Sequence, residues 1–152
     1  MKKMIARIST HFTCSEAELW KKIEKPKSLE FVSSPVLKFI PTESDAFNES
    51  WKINRDYHLK LFLFGLIPLG RHCIRLVKVD KRSNRIESRE KGRLARVWNH
   101  TITFHQSGDR KVQYTDEIEI KAGILTPVIF VFAHLFYRHR QRRWKTLLKK
   151  SE

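Results

Sequence analysis

A series of alternating segments between residues 36 and 120 constrains the fold of this chain more than any other feature. Apolar and polar residues repeat there with a period of two, which is typical of strands that bury one face. Polar or glycine-containing connections of hairpin length separate several of the segments, so the pattern predicts an antiparallel meander. The predicted strands are Val36–Ile40, Ser50–Leu63, Gly70–Val79, Arg85–Glu90, Ala95–His105 and Val112–Ile120.

The segments on either side of this meander predict one more strand and three helices. Residues 4–14 alternate and form the first strand. Ser15 and Glu18 have the spacing of a capping box at the start of a short helix, and Pro26 separates that helix from a second one. Near the carboxyl end, Thr126 is the predicted N-cap of a long amphipathic helix. The order predicts an α+β fold of about six or seven antiparallel strands, with two short helices after the first strand and one long C-terminal helix.

The size and charge of the chain limit its organisation and its partners. Its 152 residues suit a single domain, so residues 1–152 are predicted to form one unit with one core. The 31 Lys and Arg against 16 Asp and Glu give a net charge of +15, which favours anionic partners such as a membrane surface or an acidic ligand. No RNA-binding aromatic signature, helix-turn-helix pattern or zinc knuckle is visible, which argues against nucleic acid.

The cysteines and the apolar segments bear on location. Cys14 and Cys73 are too few for a disulfide scaffold or a zinc site, so both thiols are predicted to be free in a reducing compartment. Polar residues interrupt the apolar run that a signal peptide needs, and the most apolar stretch, Ile124–Tyr137, is shorter than a bilayer span. We therefore expect a cytoplasmic protein.

Four phrases, taken with the order of elements, resemble the SRPBCC superfamily over nearly the whole chain. They are the segments Leu63–His72, Trp98–His100, Tyr114–Ile120 and Phe136–Arg140. The superfamily includes START lipid-transfer domains, polyketide cyclases and aromatases, and bacterial proteins, which this sequence resembles most. The resemblance implies the helix-grip fold, in which a curved antiparallel sheet wraps around the C-terminal helix and encloses a deep apolar cavity. Because the superfamily contains both ligand carriers and enzymes, the function has to be argued from the site.

A histidine and a carboxylate share the predicted inner face of the last two strands. If Ser107 and Gly108 form the turn, the numbers of cross-strand partners add up to about 216, which sets His100 opposite Asp116. Such a pair can act as the general base that a polyketide cyclase or aromatase requires. It can equally be a buried polar pair without catalytic duty, and we expect binding rather than catalysis. No cofactor is expected, and the histidine spacings do not suit a metal site.

The implied cavity predicts binding of an apolar or amphipathic small molecule, with an anionic, lipid-like ligand as the specific expectation. Arg138 and Arg140 follow the apolar half of the last helix and are the predicted partners of a ligand carboxylate. The surrounding basic cluster can alternatively hold membrane headgroups or remain a solvated helix end. The predicted ligand-binding residues are Trp51, Tyr57, Trp98, His100, Tyr114, Asp116, Phe130, Tyr137, Arg138 and Arg140.

One predicted hairpin connection, Phe62–Leu69, is nearly all apolar, whereas connections are usually polar. We call this segment the hairpin tip. An apolar tip needs a covering, and three interpretations fit. It is a lid or locally packed segment, a self-association patch that makes a homodimer, or a wedge that enters a membrane while the basic helix end binds headgroups.

Overall fold

The computed structural model describes residues 3–150 and shows one seven-stranded antiparallel sheet with three α-helices. The strands are β1 (Met4–Phe12), β2 (Leu37–Pro41), β3 (Asp56–Leu63), β4 (Ile67–Asp80), β5 (Arg85–Gly92), β6 (Val97–Gly108) and β7 (Lys111–Lys121). The helices are α1 (Glu16–Ile23), α2 (Pro26–Ser33) and α3 (Thr126–Lys149). The strand order is β1-β7-β6-β5-β4-β3-β2. Strands β2 to β7 form a meander, and β1 pairs with β7 at one edge of the sheet. The predicted α+β helix-grip class is confirmed.

Helix α3 lies against the inner face of the sheet and packs on β1, β7 and α2. Its buried residues recur at helical spacing, as an amphipathic helix over a sheet requires. They are Thr126, Ile129, Ala133, Phe136, Tyr137, Arg140, Gln141, Trp144 and Leu148. Most of these side chains are apolar and join the core formed by the inner faces of the strands. Two long polar side chains, Arg140 and Gln141, are buried with them.

The helix starts follow the sequence signals in one case and depart from them in another. Ser15 caps α1 as predicted, because its hydroxyl accepts a hydrogen bond from the Glu18 amide at 3.1 Å. Thr126 is not the N-cap of α3, and the prediction was wrong by one position. Its Oγ1 accepts from the Ala122 amide at 2.9 Å and donates to the Gly123 carbonyl at 2.7 Å, so it closes the short 3₁₀ turn before the helix.

The boundaries of β3 and β4 differ from the predicted ones. β3 begins at Asp56 rather than residue 50, because Asn54 has a left-handed backbone with φ 63° and the chain before it packs aromatic rings instead of pairing as a strand. Trp51 lies there with its ring 4.7 Å from that of Tyr57. β4 begins at Ile67, within the hairpin tip, since the turn needs only Phe64–Leu66 between paired residues Leu63 and Ile67.

The pairing of β6 with β7 is shifted by two residues from the predicted register. Asp116 lies opposite Ile102, and His100 lies opposite Ile118. The shift arises because an irregularity between Gln106 and Gly108 lengthens β6 and moves the turn beyond Gly108. A shift of two residues keeps every side chain on its predicted face, so His100 and Asp116 are inward-facing diagonal neighbours.

Both cysteines are free, as predicted, and they differ in exposure: Cys14 is buried and Cys73 is half-buried. Burial, reinforced by the negative charge of Glu18, raises the pKa of the Cys14 thiol to about 11. Among residues 3–150, no helix has both the length and the hydropathy needed to cross a membrane.

We predict that iodoacetamide at about pH 8 alkylates Cys73 at least ~10-fold faster than Cys14 in the folded protein, because only thiolate reacts and Cys14 is both shielded and protonated. Peptide mass spectrometry after timed quenching measures the two rates. The same experiment in denaturant is the control, where both cysteines should react alike. Equal rates in the folded protein would contradict the placement of Cys14.

Candidate functional site

A cavity of about 90 Å³ lies between the inner face of the sheet and α3. Apolar side chains form most of its wall, among them Phe39, Trp51, Ile74, Trp98, Ile102, Phe136 and Trp144. The lining also includes polar and charged side chains, among them His72, Ser88, Glu90, His100 and Arg140. A mostly apolar wall with a few polar groups is the composition of small-molecule sites.

The opening of the cavity can be recognised from the exposure of its lining residues. Lys25 is exposed, and Leu29, Trp51, Leu94 and Phe132 are half-buried, whereas most of the other lining residues are buried. These five come from the α1–α2 junction, α2, the segment before β3, the β5–β6 connection and α3. The mouth is therefore bordered by the α1–α2 and β5–β6 connections, the segment before β3, α2 and the first half of α3.

Arg140 places a guanidinium group in the wall of this cavity. The residue is only 6% exposed, and its Nε is buried without a hydrogen-bond partner. No carboxylate among residues 3–150 lies within ion-pair distance of it. Its guanidinium centre instead lies 4.9 Å from the ring centroid of Tyr137 and 5.9 Å from that of Phe136. A buried charge without a partner is costly, so this position calls for an explanation.

The surroundings of Arg140 keep it charged. Burial lowers the pKa of Arg140, but the nearby groups Tyr137, Asp116, Tyr114 and Glu90 raise it above its ordinary value in sum. Burial also raises the pKa of Tyr137, whose hydroxyl accepts a hydrogen bond from Trp98 Nε1 at 3.0 Å. The cavity therefore presents a permanent cation beside a neutral phenol.

Asp116 lies behind the cavity and joins three structural elements. Its Oδ1 is 2.7 Å from His100 Nε2 and accepts from the Tyr114 hydroxyl at 3.0 Å, while its Oδ2 accepts from Gln141 Nε2 at 3.1 Å. Burial and the charge of Asp116 raise the pKa of Tyr114 well above its ordinary value, so Tyr114 is a donor here. Gln141 Nε2 also donates to the Ile8 carbonyl at 2.8 Å. The carboxylate therefore links β6, β7 and α3, and Gln141 extends the link to β1.

His100 is one of the residues that line the cavity. Its Nε2 contacts Asp116, and no described residue hydrogen-bonds its Nδ1. With Nε2 donating to the carboxylate, Nδ1 of the neutral ring carries a lone pair and can accept a proton. The arrangement is an aspartate-oriented imidazole at the wall of a cavity, which is the geometry of a general base.

A second histidine–carboxylate pair lies on β4 and β5. His72 Nε2 is 3.0 Å from Glu90 Oε1, and Ser88 donates to Glu90 Oε2 at 2.7 Å. Burial raises the pKa of Glu90, but the hydrogen bond and charge of His72, with contributions from His100 and Ser88, bring it below its ordinary value. Glu90 is therefore an ionised group on the part of the cavity wall that the sheet forms, whereas Arg140 lies on the part that α3 forms.

The structure brings half of the predicted ligand-binding residues to the cavity. Trp51, Trp98, His100, Tyr137 and Arg140 line it. The other five lie elsewhere: Tyr57, Tyr114, Asp116, Phe130 and Arg138.

Each of these five residues has a different duty. The Tyr57 hydroxyl accepts from the Lys52 amide, and Tyr114 and Asp116 are buried behind His100. Phe130 is half-buried at the edge of the core, with its ring 4.8 Å from that of His134, and its neighbour Ile129 takes the fully buried position. Arg138 is exposed and donates to the Ser9 carbonyl on β1 at 3.0 Å.

Sequence reasoning missed the polar groups of β4 and β5. Ser88 and Glu90 continue the inward alternation that starts at Ile86, and His72 precedes Ile74 on the inner face of β4. The period-two alternation does place these residues on the inner face. However, Arg85, Glu87 and Arg89 on the other face make β5 polar on both sides, so the sequence does not show which face is buried.

The hairpin tip does not fold over the cavity. Phe64, Leu66 and Ile67 each expose more than half of their surface, and Leu66 is 82% exposed. Phe64 and Gly65 both have positive φ, 54° and 71°, which turns the chain tightly and points the apolar side chains outward. The lid or local-packing interpretation is therefore wrong for this chain, and the homodimer and membrane interpretations stay predictions.

One cluster of possible metal ligands occurs among the described residues, on the outer face of β3 and β4. Ligand atoms of Asp56, His58 and Cys73 lie within 4.8 Å of one another. Both Asp56 oxygens accept hydrogen bonds from Arg75, at 2.6 and 2.9 Å, so the guanidinium occupies the position that a cation would take. We assign this cluster no ligand.

Comparisons with known proteins agree with the architecture. A family model described as "Domain of unknown function (DUF8410)" matches residues 10–148. A search of curated proteins finds no match.

Solved structures share the fold at low sequence identity. A START superfamily protein from Mycobacterium smegmatis is similar over 97% of this chain and 99% of its own, with 10% identity and a TM-score of 0.71. A norcoclaurine synthase point mutant from Thalictrum, in complex with a transition-state analogue, is similar over 99% and 96%, with 13% identity and a TM-score of 0.72. The major latex-like protein 151 of Panax ginseng is similar over 95% and 96%, with 10% identity and a TM-score of 0.64. The predicted resemblance to the START-like SRPBCC superfamily is confirmed at the level of fold.

We predict that Asp116→Ala lowers the free energy of unfolding by about 3–5 kcal/mol, because it leaves buried donors of His100, Tyr114 and Gln141 without their acceptor. Urea unfolding followed by tryptophan fluorescence measures the change. Asp109→Ala, at an exposed position in the β6–β7 turn, is the matched control and should cost less than about 0.5 kcal/mol. Similar losses for the two variants would show that Asp116 does not hold the elements together.

The Glu90 pair predicts a pH dependence of stability. A carboxyl group whose pKa is lower in the folded protein stabilises the fold above its unfolded-state pKa, and this stabilisation is lost as the pH falls through the folded-state pKa. At neutral pH, Glu90→Gln should therefore be less stable than the wild type by about 1–3 kcal/mol. The difference should shrink as the pH falls below 4.5, the ordinary value for glutamate. Urea titrations at a series of pH values test this, and a difference that stays constant would contradict it.

Proposed function

Since this chain belongs to the DUF8410 family and has the START-like helix-grip fold, we propose that it binds a small amphipathic carboxylate in the cavity between the sheet and α3. The carboxylate head contacts Arg140, and the apolar part of the ligand lies against the aromatic and aliphatic wall. This is a binding function, and it needs no cofactor.

The observation that carries the proposal is the isolated charge of Arg140. The guanidinium is buried, lines the cavity, and has no ion pair or hydrogen bond to any residue of the described chain. Burying an unpaired cation destabilises a fold, and an anion in the cavity removes that cost. A carboxylate matches the guanidinium fork in geometry and charge, and the Tyr137 ring, 4.9 Å from the guanidinium centre, adds a cation–π contact.

The cavity volume limits the size of the ligand. At about 90 Å³ it is smaller than a 150 Å³ engineered cavity that holds benzene. The closed cavity thus suits a short acyl chain, and a longer ligand requires the half-buried side chains Leu29, Leu94 and Phe132 at the mouth to move. None of these three residues belongs to a strand, so their movement needs no rearrangement of the sheet.

The comparisons support a cavity function only through the shared fold. The norcoclaurine synthase mutant holds a transition-state analogue. At 10–13% identity, these relations make a ligand cavity a natural use of this architecture, whereas the choice of a carboxylate depends on Arg140 alone.

A second candidate is catalysis of the cyclase or aromatase kind, and one observation favours it. His100 lines the cavity, is oriented by Asp116, and has an unpartnered Nδ1. An imidazole held in this way can remove a proton from the carbon between two carbonyl groups of a poly-ketone, and Arg140 can stabilise the enolate that forms. Turnover of a labelled poly-ketone that is lost in His100→Gln, while octanoate binding persists, would establish this activity. Absence of turnover leaves the binding function.

We predict that octanoate binds the wild type more tightly than 1-octanol by about 5- to 150-fold, the equivalent of about 1–3 kcal/mol for a charge-assisted hydrogen bond. Arg140→Gln should remove most of this difference without weakening the binding of 1-octanol. Isothermal titration calorimetry with both ligands measures the two affinities. Arg138→Gln is the matched control, because it removes the same charge two residues away on the exposed side of α3 and should change neither affinity.

Two results would contradict the proposal. Equal affinities for the acid and the alcohol in the wild type would exclude a headgroup role for Arg140. Failure of Arg140→Met to fold would make the residue structural, whereas a cation retained for binding predicts stability within about 1 kcal/mol of the wild type or above it. Urea unfolding of Arg140→Met decides this second point independently of any ligand.

A further inference from the structure

The side of α3 that faces away from the sheet changes character halfway along the helix. Its first half is apolar and its second half is basic, and we call this side the outer face. The apolar residues are Val128, Val131 and Leu135, preceded by Ile124 and Leu125 in the 3₁₀ turn, and the basic residues are Arg138, Arg142, Lys145 and Lys149. The spacings of three, four and seven residues place the two groups on one continuous surface.

The apolar half is more exposed than a solvated helix normally allows. Five of the eleven large apolar side chains exposed among residues 3–150 lie here, and each shows more than half of its surface. Single exposed apolar residues are common on proteins, but a contiguous group marks an interaction site. The outer face therefore needs an apolar partner over the first half of the helix.

The basic half needs an anionic partner. Arg142, Lys145 and Lys149 are exposed, and none of them forms an ion pair with a residue of the described chain. The net charge of +15 adds a long-range attraction toward negative surfaces. Lysine and arginine side chains near an anionic bilayer each contribute measurably to binding.

We propose that the outer face of α3 docks on a membrane surface rich in anionic lipid. The centres of the apolar and basic halves are about 20 Å apart along the helix axis. A modest tilt therefore lets the apolar half enter the boundary of the acyl chains while the basic half stays at the level of the phosphates. Burial by 5 to 10 Å, roughly the depth of interfacial helices, is enough to cover Val131 and Leu135. Phe132 at the cavity mouth follows Val131, so the docked surface and the mouth share this half of the helix.

A second copy of the chain fits the outer face poorly. In a two-fold contact with the helices parallel, the basic halves of the two copies would meet and repel each other. With the helices antiparallel along their whole length, the basic half of each copy would lie on the apolar half of the other and lose its solvation without a counter-charge. A contact confined to the two apolar halves would leave both basic halves without an anionic partner. A lipid surface provides an apolar interior beside a layer of phosphates, which matches both halves at once.

Three variants test the proposal on vesicles. The basic variant combines Arg142→Gln, Lys145→Gln and Lys149→Gln, and the apolar variant combines Val131→Ser with Leu135→Ser. The control variant combines Lys60→Gln, Lys78→Gln and Lys111→Gln, which removes the same charge from exposed positions on the sheet. Sedimentation with vesicles of phosphatidylcholine alone, or of phosphatidylcholine with phosphatidylglycerol, measures binding. Circular dichroism confirms that each variant is folded.

The wild type should bind the anionic vesicles and not the neutral ones, with an affinity that falls as salt rises. The basic variant should lose about 100-fold in affinity, the apolar variant about 10-fold, and the control less than about 5-fold. Three results would overturn the proposal: no binding to anionic vesicles, equal losses in the basic and control variants, or binding unchanged in the apolar variant. Sedimentation velocity without lipid adds a fourth, since a wild-type dimer that the apolar variant converts to a monomer would assign the face to a second copy.

Discussion

The buried carboxylate of Asp116 is the interaction on which the rest of the structure depends. It is completely shielded from solvent and accepts hydrogen bonds from side chains on β6, β7 and α3. In a low-dielectric interior such hydrogen bonds are strong, and a missing one destabilises the fold. The folded state is therefore stable only when the carboxylate has all of these donors in place. Because Gln141 also binds the β1 backbone, the same charge fixes where α3 lies along the sheet.

The rotation of α3 follows from that fixed point, and it divides the helix into two functional sides. With Gln141 held against the sheet, its neighbour Arg140 points into the cavity and Arg138 points to the outside. Arg138 and Arg140 are about 200° apart around the helix axis, so one rotation of α3 places them on opposite sides. The hydrogen bond of Gln141 to Asp116, together with the buried apolar side chains of α3, holds that rotation.

The sequence predicted which face of a strand each residue lies on better than it predicted the residue's cross-strand partner. Alternation placed His100 and Asp116 inside because the face of a strand residue depends only on its parity, which a two-residue register shift preserves. Their exact pairing depends on the irregularity near Gln106, which no local propensity reveals. For α3 the spacing identified most of the buried stripe. Arg140 lies within this stripe, four residues after Phe136 and four before Trp144, whereas Arg138 lies on the exposed side. Glu90 was missed because inner faces are recognised from their apolar residues, and an ionised glutamate does not fit that pattern.

Two exceptions to ordinary burial rules occur together on α3, and their combination is itself an argument for function. The helix buries a cation without an anionic partner, and its first half exposes a row of aliphatic side chains. Neither feature is needed to hold α3 against the sheet, which its buried apolar residues do. Elsewhere the inner strand faces are apolar or hydrogen-bonded, and the outer faces carry ion pairs such as Arg7–Glu117 and Arg75–Asp56. The two exceptions on one helix support both proposals, in which the inner side of α3 faces a ligand and its outer side faces a membrane surface.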